Sequence, residues 1–441
     1  MVGSLARKVA IVVSACLLTV AAGLSAQTRQ LLNYEAIHKP EIGRAGMVVS
    51  QNAAASEVGA QILREGGNAV DAAVATAFVL AVTLPRAGNI GGDGFMLIYL
   101  ADEDRYTGID YRSMAPALAT LDAYVNDAGE LEGPSAGIRS AGVPGTVAGL
   151  ALAHSRYGRL PWERVLEPAI RMAEEGIVLS ADESFALDWG KQRLARSQAG
   201  AAVFLHPDGE ALRPGETLVQ PDLAWSLRRI AEHGADDFYR GQIADRLDAG
   251  MRRHGGLLRK EDLMAYRAIE RPALRSTYRD VEVVTMPPAS GGGPGIVGTL
   301  NLLEHFDLAS MGAGSADALH LFAEASKLSW RDRLAHVGDT AFLDVPLQGL
   351  LAKPYAQARA AQIDLARAAP AETVEAGDPW QFESRETTHF SVVDSAGNAV
   401  SNTYTIGADF GSGVMIEGTG FLLGILIGIF FLRAQLVAER E

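Results

Sequence analysis

The sequence predicts a mixed α/β protein, and three observations carry that reading. Short apolar or β-branched runs, MVVS from Met47, FMLIYL from Phe95 and VEVVTM from Val281, alternate with longer stretches of helical spacing. Glycine or proline marks each change of pattern. The composition is that of a globular chain, neither disordered nor fibrous: 441 residues, 48% hydrophobic and 21% charged. A chain this long accommodates about two to four domains, or one large domain with insertions, and can bury a substantial core. A formal net charge of −14, with no basic run interleaved with aromatics, argues against nucleic acid as a partner and for small solutes. The one cysteine, Cys16, leaves the rest of the chain without a disulfide or a thiolate metal site.

In chain order, Arg7 and Lys8 precede an apolar run from Val9 to Ala26 that ends in the small residues of Leu24-Ser25-Ala26. That is the layout of a secretory signal, which makes 1–26 a leader and Gln27 the start of a mature chain, exported to a periplasm or secreted. An uncleaved membrane anchor and lipidation at Cys16 are the alternatives. After the MVVS strand a helix spans about Ala53 to Glu65 and stops at Gly66-Gly67. Asn68 with Asp71 three positions on caps a second helix, buried by its AAVATAFVLAV composition, that ends before Pro85. A glycine loop, Gly88 to Gly94, leads into strands from Phe95 and, as YTGIDYR, from Tyr106. The middle is helical over Pro161–Glu175, Asp222–Glu232, Phe238–Arg253 and Ser315–Val337. It is interrupted by the Val281 strand and the loop Pro287–Gly295. Ala360 to Glu386, rich in Ala, Pro, Glu and Asp, reads as exposed and open to processing. HFSVVD and AVSNTYTI around Ser395-Ala396-Gly397-Asn398 form a hairpin. The run FLLGILIGIFFL from Phe421 is too short to span a membrane, and could be a buried strand, a core helix segment or an interfacial anchor.

Several familiar constellations are excluded. GNIGGDG lacks the G-x-G-x-x-G spacing and runs from helix into strand, the reverse of a dinucleotide site, so its glycines read as tight backbone packing. His320 and Glu324 share a helix face but read as a hydrogen-bonded pair; no metal site and no cofactor are expected. Ser290, in PPASGG, lacks the first glycine of a nucleophile elbow.

The blocks GGNAVDAAVATAFVLAVTLPRAGNIGGDGFML, IDYRSMAPA, GVPGTVAG, GGLLRKEDLMAY, MPPASGGG, GSADALH and TTHFSVVDSAGNAV occur in order from about Gly43 to Leu423. Together they closely resemble the γ-glutamyltransferase family, also called glutathione hydrolases. The resemblance implies an α+β N-terminal nucleophile hydrolase with a four-layer αββα core, made as one precursor that cuts itself between Glu386 and Thr387. It divides the chain into a large-subunit region, 27–386, and a small-subunit region, 387–441, which pair after cleavage. Cleavage would free an α-amino group of pKa about 7.7–8.0 on the nucleophile's own residue, supplying the base that a threonine hydroxyl lacks. Glutathione and other γ-glutamyl compounds are the implied donors, and water, amino acids or peptides the acceptors. Arg112 matches the arginine that grips the donor α-carboxylate, a task its planar fork suits. Thr405 matches the threonine that orients the nucleophile, and Thr403 lies two residues before it on the same strand face.

The sequence also departs from the family. After Leu423 the family continues with an Asn-Asn pair, a Met-Asp-Asp-Phe motif, a serine pair and a Gly-Gly oxyanion site. Here it reads GILIGIFFLRAQLVAERE, an atypical apolar tail from 424, so the chain reads as truncated at its C-terminus by nature or by a frame error. Loss of one oxyanion donor typically slows a reaction on the order of a hundredfold. Gly407 stands where many members have asparagine, and Asp93 replaces a glycine of the loop. The alternatives this leaves open are a related acylase acting on β-lactam side chains and an inactive, unprocessed chain.

Overall fold

The computed structural model describes residues 42–125, 137–340, 344–377, 388–406 and 409–425. From residue 44 onward these belong to one unit, Arg44–Glu441. The N-terminal segment read as a leader, the Glu386–Thr387 junction and the apolar tail from 426 lie outside them.

β1 (Met47–Val49) leads into α1 (Ala53–Arg64), whose first turn is closed by Asn52 accepting the Ala54 and Ala55 N–H groups. α1 ends at Glu65 because Gly66 takes φ +94°, a conformation few side chains tolerate. α2 (Ala69–Thr83) begins with the expected capping box: Asn68 accepts from Val70 and Asp71, and the Asp71 carboxylate accepts the Asn68 N–H. Every residue of α2 is buried, as a helix apolar on all sides must be.

β2 (Asp93–Leu100) and β3 (Arg105–Asp110) follow, then α3 (Thr146–Tyr157), α4 (Trp162–Glu175), β4 (Ile177–Val178), α5 (Ala181–Leu194) and β5 (Thr217–Leu218). Next come α6 (Pro221–His233), α7 (Gln242–His254), β6 (Ile269–Pro272), β7 (Leu274–Tyr278) and β8 (Val281–Thr285). The series ends with α8 (Gly292–Leu303), α9 (Ala316–His336), α10 (Lys353–Ala360), β9 (Thr388–Val393) and β10 (Ala399–Thr405). The main sheet is antiparallel throughout, in the order β1-β9-β10-β2-β3-β6. β4 with β5 and β7 with β8 form two small sheets.

The pleat assigns the two faces of the main sheet. Val400, Asn402 and Tyr404 of β10 are buried toward α2, where the Tyr404 hydroxyl donates to the Ala77 carbonyl at 2.9 Å. Ser401, Thr403 and Thr405 alternate with them and share the other face with Leu97, Phe95 and Asp93 of β2. α2 also packs on α1, α3 and α4, with Phe78 edge-on to Trp162 at 5.6 Å.

Five expectations are adjusted. The YTGIDYR strand stops at Asp110, because the Asp110 carboxylate accepts the Arg112 N–H at 3.1 Å and turns the chain. Arg112 therefore sits on a loop rather than a strand. The single helix expected over Phe238–Arg253 breaks at Gly241, where Asp237 accepts the Gln242 N–H and caps a new helix. The loop expected to Gly295 ends earlier: α8 starts at Gly292, and Pro294 falls in its first turn, where no N–H is needed. The segment from Ala360 is not uniformly exposed, since Ala360 and Val374 are buried and the Gly377 N–H reaches Asp332 at 2.8 Å. The FLLG segment packs in the core, Phe421 stacking on Phe238 at 5.3 Å and the Ile425 N–H bonding to Ile406 O at 2.9 Å. Among the described residues no helix is long and apolar enough to cross a membrane.

Candidate active site

The site is built where the β10 strand ends against the glycine loop before β2. Asn89 organises that loop, its side-chain oxygen accepting the Gly92 N–H at 2.9 Å and the Thr146 hydroxyl at 2.8 Å. The Gly92 carbonyl accepts the N–H groups of Gly145 and Thr146 at the start of α3, at 2.7 and 3.1 Å. A Cβ on Gly92 would collide with the Thr405 carbonyl oxygen. The glycines thus serve close backbone packing, as their spacing indicated, and bring the loop against the Thr405 end of β10.

Thr405 is 4% exposed and its Cα partner across the sheet is Asp93. Thr403, half-buried, partners Phe95 on β2 and His389 on β9. Arg112 reaches the same place from the β3 loop. Its Nη1 donates to Asp93 Oδ1 at 3.2 Å, with side-chain exposures of 22% for Arg112 and 4% for Asp93. The Ser113 hydroxyl donates to the other Asp93 oxygen.

The Arg112 backbone is pinned independently, its N–H by Asp110 and its carbonyl by the Tyr266 hydroxyl at 2.8 Å. Asp110 also takes the Arg271 guanidinium at 2.7 Å. Burial pushes the Tyr266 phenol well above its ordinary range, with the charges of Tyr239, Asp110 and Asp93 acting in the same direction. It is therefore a neutral donor at any working pH.

The structure thus links Arg112 through Asp93 to the strand end that carries Thr405, with Thr403 two residues earlier on the same face of β10. Glu386 and Thr387 lie outside the described residues. His320 and Glu324 are 3.9 Å apart, too far for the expected hydrogen bond; Glu324 instead pairs with Lys327 at 2.7 Å. Among the described residues no group of three His, Cys, Asp or Glu side chains could hold a metal. Sequence reasoning missed Asp93 as the partner of Arg112, along with Ser113 and Tyr266. The one signal was Asp93 itself, an acid among glycines.

A profile of the gamma-glutamyltranspeptidase family matches residues 55–435. The glutathione hydrolase proenzyme of Escherichia coli strain K12 is 45% identical over 394 residues, which cover 88% of this chain and 67% of that protein. The crystal structure of Helicobacter pylori gamma-glutamyltranspeptidase superposes with a TM-score of 0.74 at 35% identity, covering 77% of this chain and 97% of that one. Cephalosporin acylase from Bacillus halodurans superposes with a TM-score of 0.79 at 32% identity, covering 88% and 71%. These likenesses show the fold class to be the α+β N-terminal nucleophile hydrolase type expected from the sequence.

Proposed function

The chain belongs to the gamma-glutamyltranspeptidase family, a family of enzymes, and from that premise we propose that it is a glutathione hydrolase and γ-glutamyltransferase that matures by cutting itself before Thr387. In maturation the Thr387 hydroxyl attacks the Glu386 carbonyl carbon and the peptide C–N bond breaks, leaving an ester between the two residues. The Thr387 α-amine is freed as that C–N bond breaks, and water then hydrolyses the ester to a Glu386 carboxylate and the Thr387 hydroxyl. Nucleophile and base then sit on one residue. In turnover the hydroxyl attacks the γ-amide of glutathione, its proton passing by way of the α-amine to the departing amine. The γ-glutamyl ester is then taken by water or by an amino acid or peptide.

The observation that carries this reading is the convergence of Arg112 on Asp93, the strand partner of Thr405. The guanidinium would receive the donor α-carboxylate and Thr405, with Thr403 beside it, would orient the nucleophile. The strand that follows Thr387 in the sequence begins at Thr388, whose Cα partner is Tyr404, the residue before Thr405. The regions 27–386 and 387–441 become the two subunits, and the sheet holds them together: β9 and β10 from the second lie between β1 and β2 from the first. Residues 1–26 act as the export leader.

A denaturing gel with N-terminal sequencing of the exported protein tests the proposal. The expected result is a fragment beginning Thr-Thr-His-Phe that accompanies hydrolysis of a γ-glutamyl anilide. A single intact chain would overturn self-processing and the activity that depends on it. The likeness to cephalosporin acylase favours a second reading, release of β-lactam side chains. The same preparation assayed on a cephalosporin with a glutaryl side chain separates the two.

A further inference from the structure

Resting on the reading of Arg112 as the carboxylate grip, we propose that Asp93 is the positioning residue that aims its guanidinium at the donor. Asp93 opens β2 and is fixed from three sides. Its Cα is registered against Thr405, the residue before it packs on the Thr405 carbonyl, and the residue after it packs on Thr403. Its carboxylate is committed at both ends, Oδ1 to Arg112 Nη1 at 3.2 Å and Oδ2 to the Ser113 hydroxyl. With a side chain only 4% exposed it is screened from a ligand, whereas Arg112 keeps 22% of its surface open. Asp93 therefore acts through Arg112.

Two opposing effects follow from such a pair. The negative charge of Asp93 weakens the pull of the guanidinium on an incoming carboxylate, while the hydrogen bond holds a long, rotamer-rich side chain in one geometry before the ligand arrives. The geometry favours the second. A fork with five donors can serve Asp93 and a ligand at once. The backbone of Arg112 is already fixed by Asp110 and Tyr266, and the bond from Asp93 acts on what they leave open, the direction of the side chain.

The test is calorimetric titration of the purified full chain with L-glutamate and with 4-aminobutyrate, the same molecule without its α-carboxylate. The wild type is expected to prefer L-glutamate and R112A to lose that preference. D93N is expected to bind L-glutamate about tenfold more weakly, the loss of one charge-assisted hydrogen bond, with 4-aminobutyrate unchanged. S113A leaves the charge in place and frees only Oδ2, so it should give a smaller loss of the same selective kind. It carries the test alone should D93N not fold. L-Glutamate bound by D93N as tightly as by the wild type, or more tightly, overturns the positioning role while the Arg112 reading stands. So does an unchanged S113A. Preference retained by R112A, or missing from the wild type, overturns the Arg112 reading and this proposal with it.

Discussion

Glu183, in the first turn of α5, shows how burial can outweigh a neighbouring cation. Its side chain is 8% exposed and lies 3.5 Å from Arg86. Burial pushes the carboxyl up to about 7, Arg86 pulls it down, and the charges of Asp182 and Asp409 push it up again. The folded value exceeds the ordinary 4.5, so between about pH 4.5 and 7 the folded protein holds a proton that the unfolded chain has lost. Stability at this site therefore falls as pH rises through that window, and above it the folded state carries a penalty of about 3 kcal/mol. Glu183→Gln should raise Tm relative to wild type at pH 8 and leave it almost unchanged near pH 4.5, while Arg86 keeps Asp182 at 3.0 Å. Calorimetric melts across that range check this; a gain independent of pH would contradict it. At this scale the sequence is legible where partners are close in the chain, as Asn68 and Asp71 are. The Arg112–Asp93 pair was not legible, because it depends on where one strand starts relative to a loop beyond the next.

Elements were legible in proportion to their periodicity. The β9–β10 hairpin could be read from its alternation and from the turn between Val393 and Ala399, and the structure shows what locks that turn. Asp394 Oδ1 accepts the N–H groups of Ala396 and Asn398 at 2.9 Å each, and Oδ2 accepts from Asn398 Nδ2 at 2.7 Å and the Ala69 N–H at 3.0 Å. One carboxylate thereby closes the hairpin and fastens it to the first turn of α2. Asp394→Ala would leave buried N–H groups without partners and should lower stability by roughly 2–4 kcal/mol. Under the proposed self-cleavage before Thr387, the residue just ahead of β9, the same variant should also accumulate uncut precursor. Denaturant midpoints and the uncut fraction on a gel measure the two effects. By contrast α3 was not read from the sequence: its glycines break the apolar period, and Gly149 sits within the helix because the Tyr111 ring packs where any larger residue's side chain would be. β4, β5 and β6 are two to four residues each, too short for a period to show.

For the whole molecule, the fold class was legible because the family blocks run along most of the chain, while its division into separately packed apolar clusters was not, since that depends on which helices meet. The largest cluster surrounds α2. Another gathers Leu302, Leu303, Leu321, Ala325, Leu328, Ala360 and Val374 from α8, α9, α10 and the segment after them. Two of the helices that build it, α9 and α10, are joined by a buried ion pair. Arg359 and Asp332, 4% and 6% exposed, meet through two hydrogen bonds of 2.9 and 3.1 Å; Arg359 also bonds the Glu375 carbonyl, and Asp332 the Gly377 N–H. Replacing one partner of such a pair strands the other charge, an effect of about 3–5 kcal/mol. Arg359→Met should therefore loosen α8, α9 and α10 together, because Asp332 and the chain near Gly377 lose their shared anchor. α2 shares no buried residue with that cluster and should stay protected. Amide exchange read by peptide makes the distinction: faster exchange confined to 292–377 supports sub-global opening of that cluster. Equal acceleration in 69–83 would mean that the clusters unfold as one cooperative block and that the ion pair stabilises the molecule as a whole.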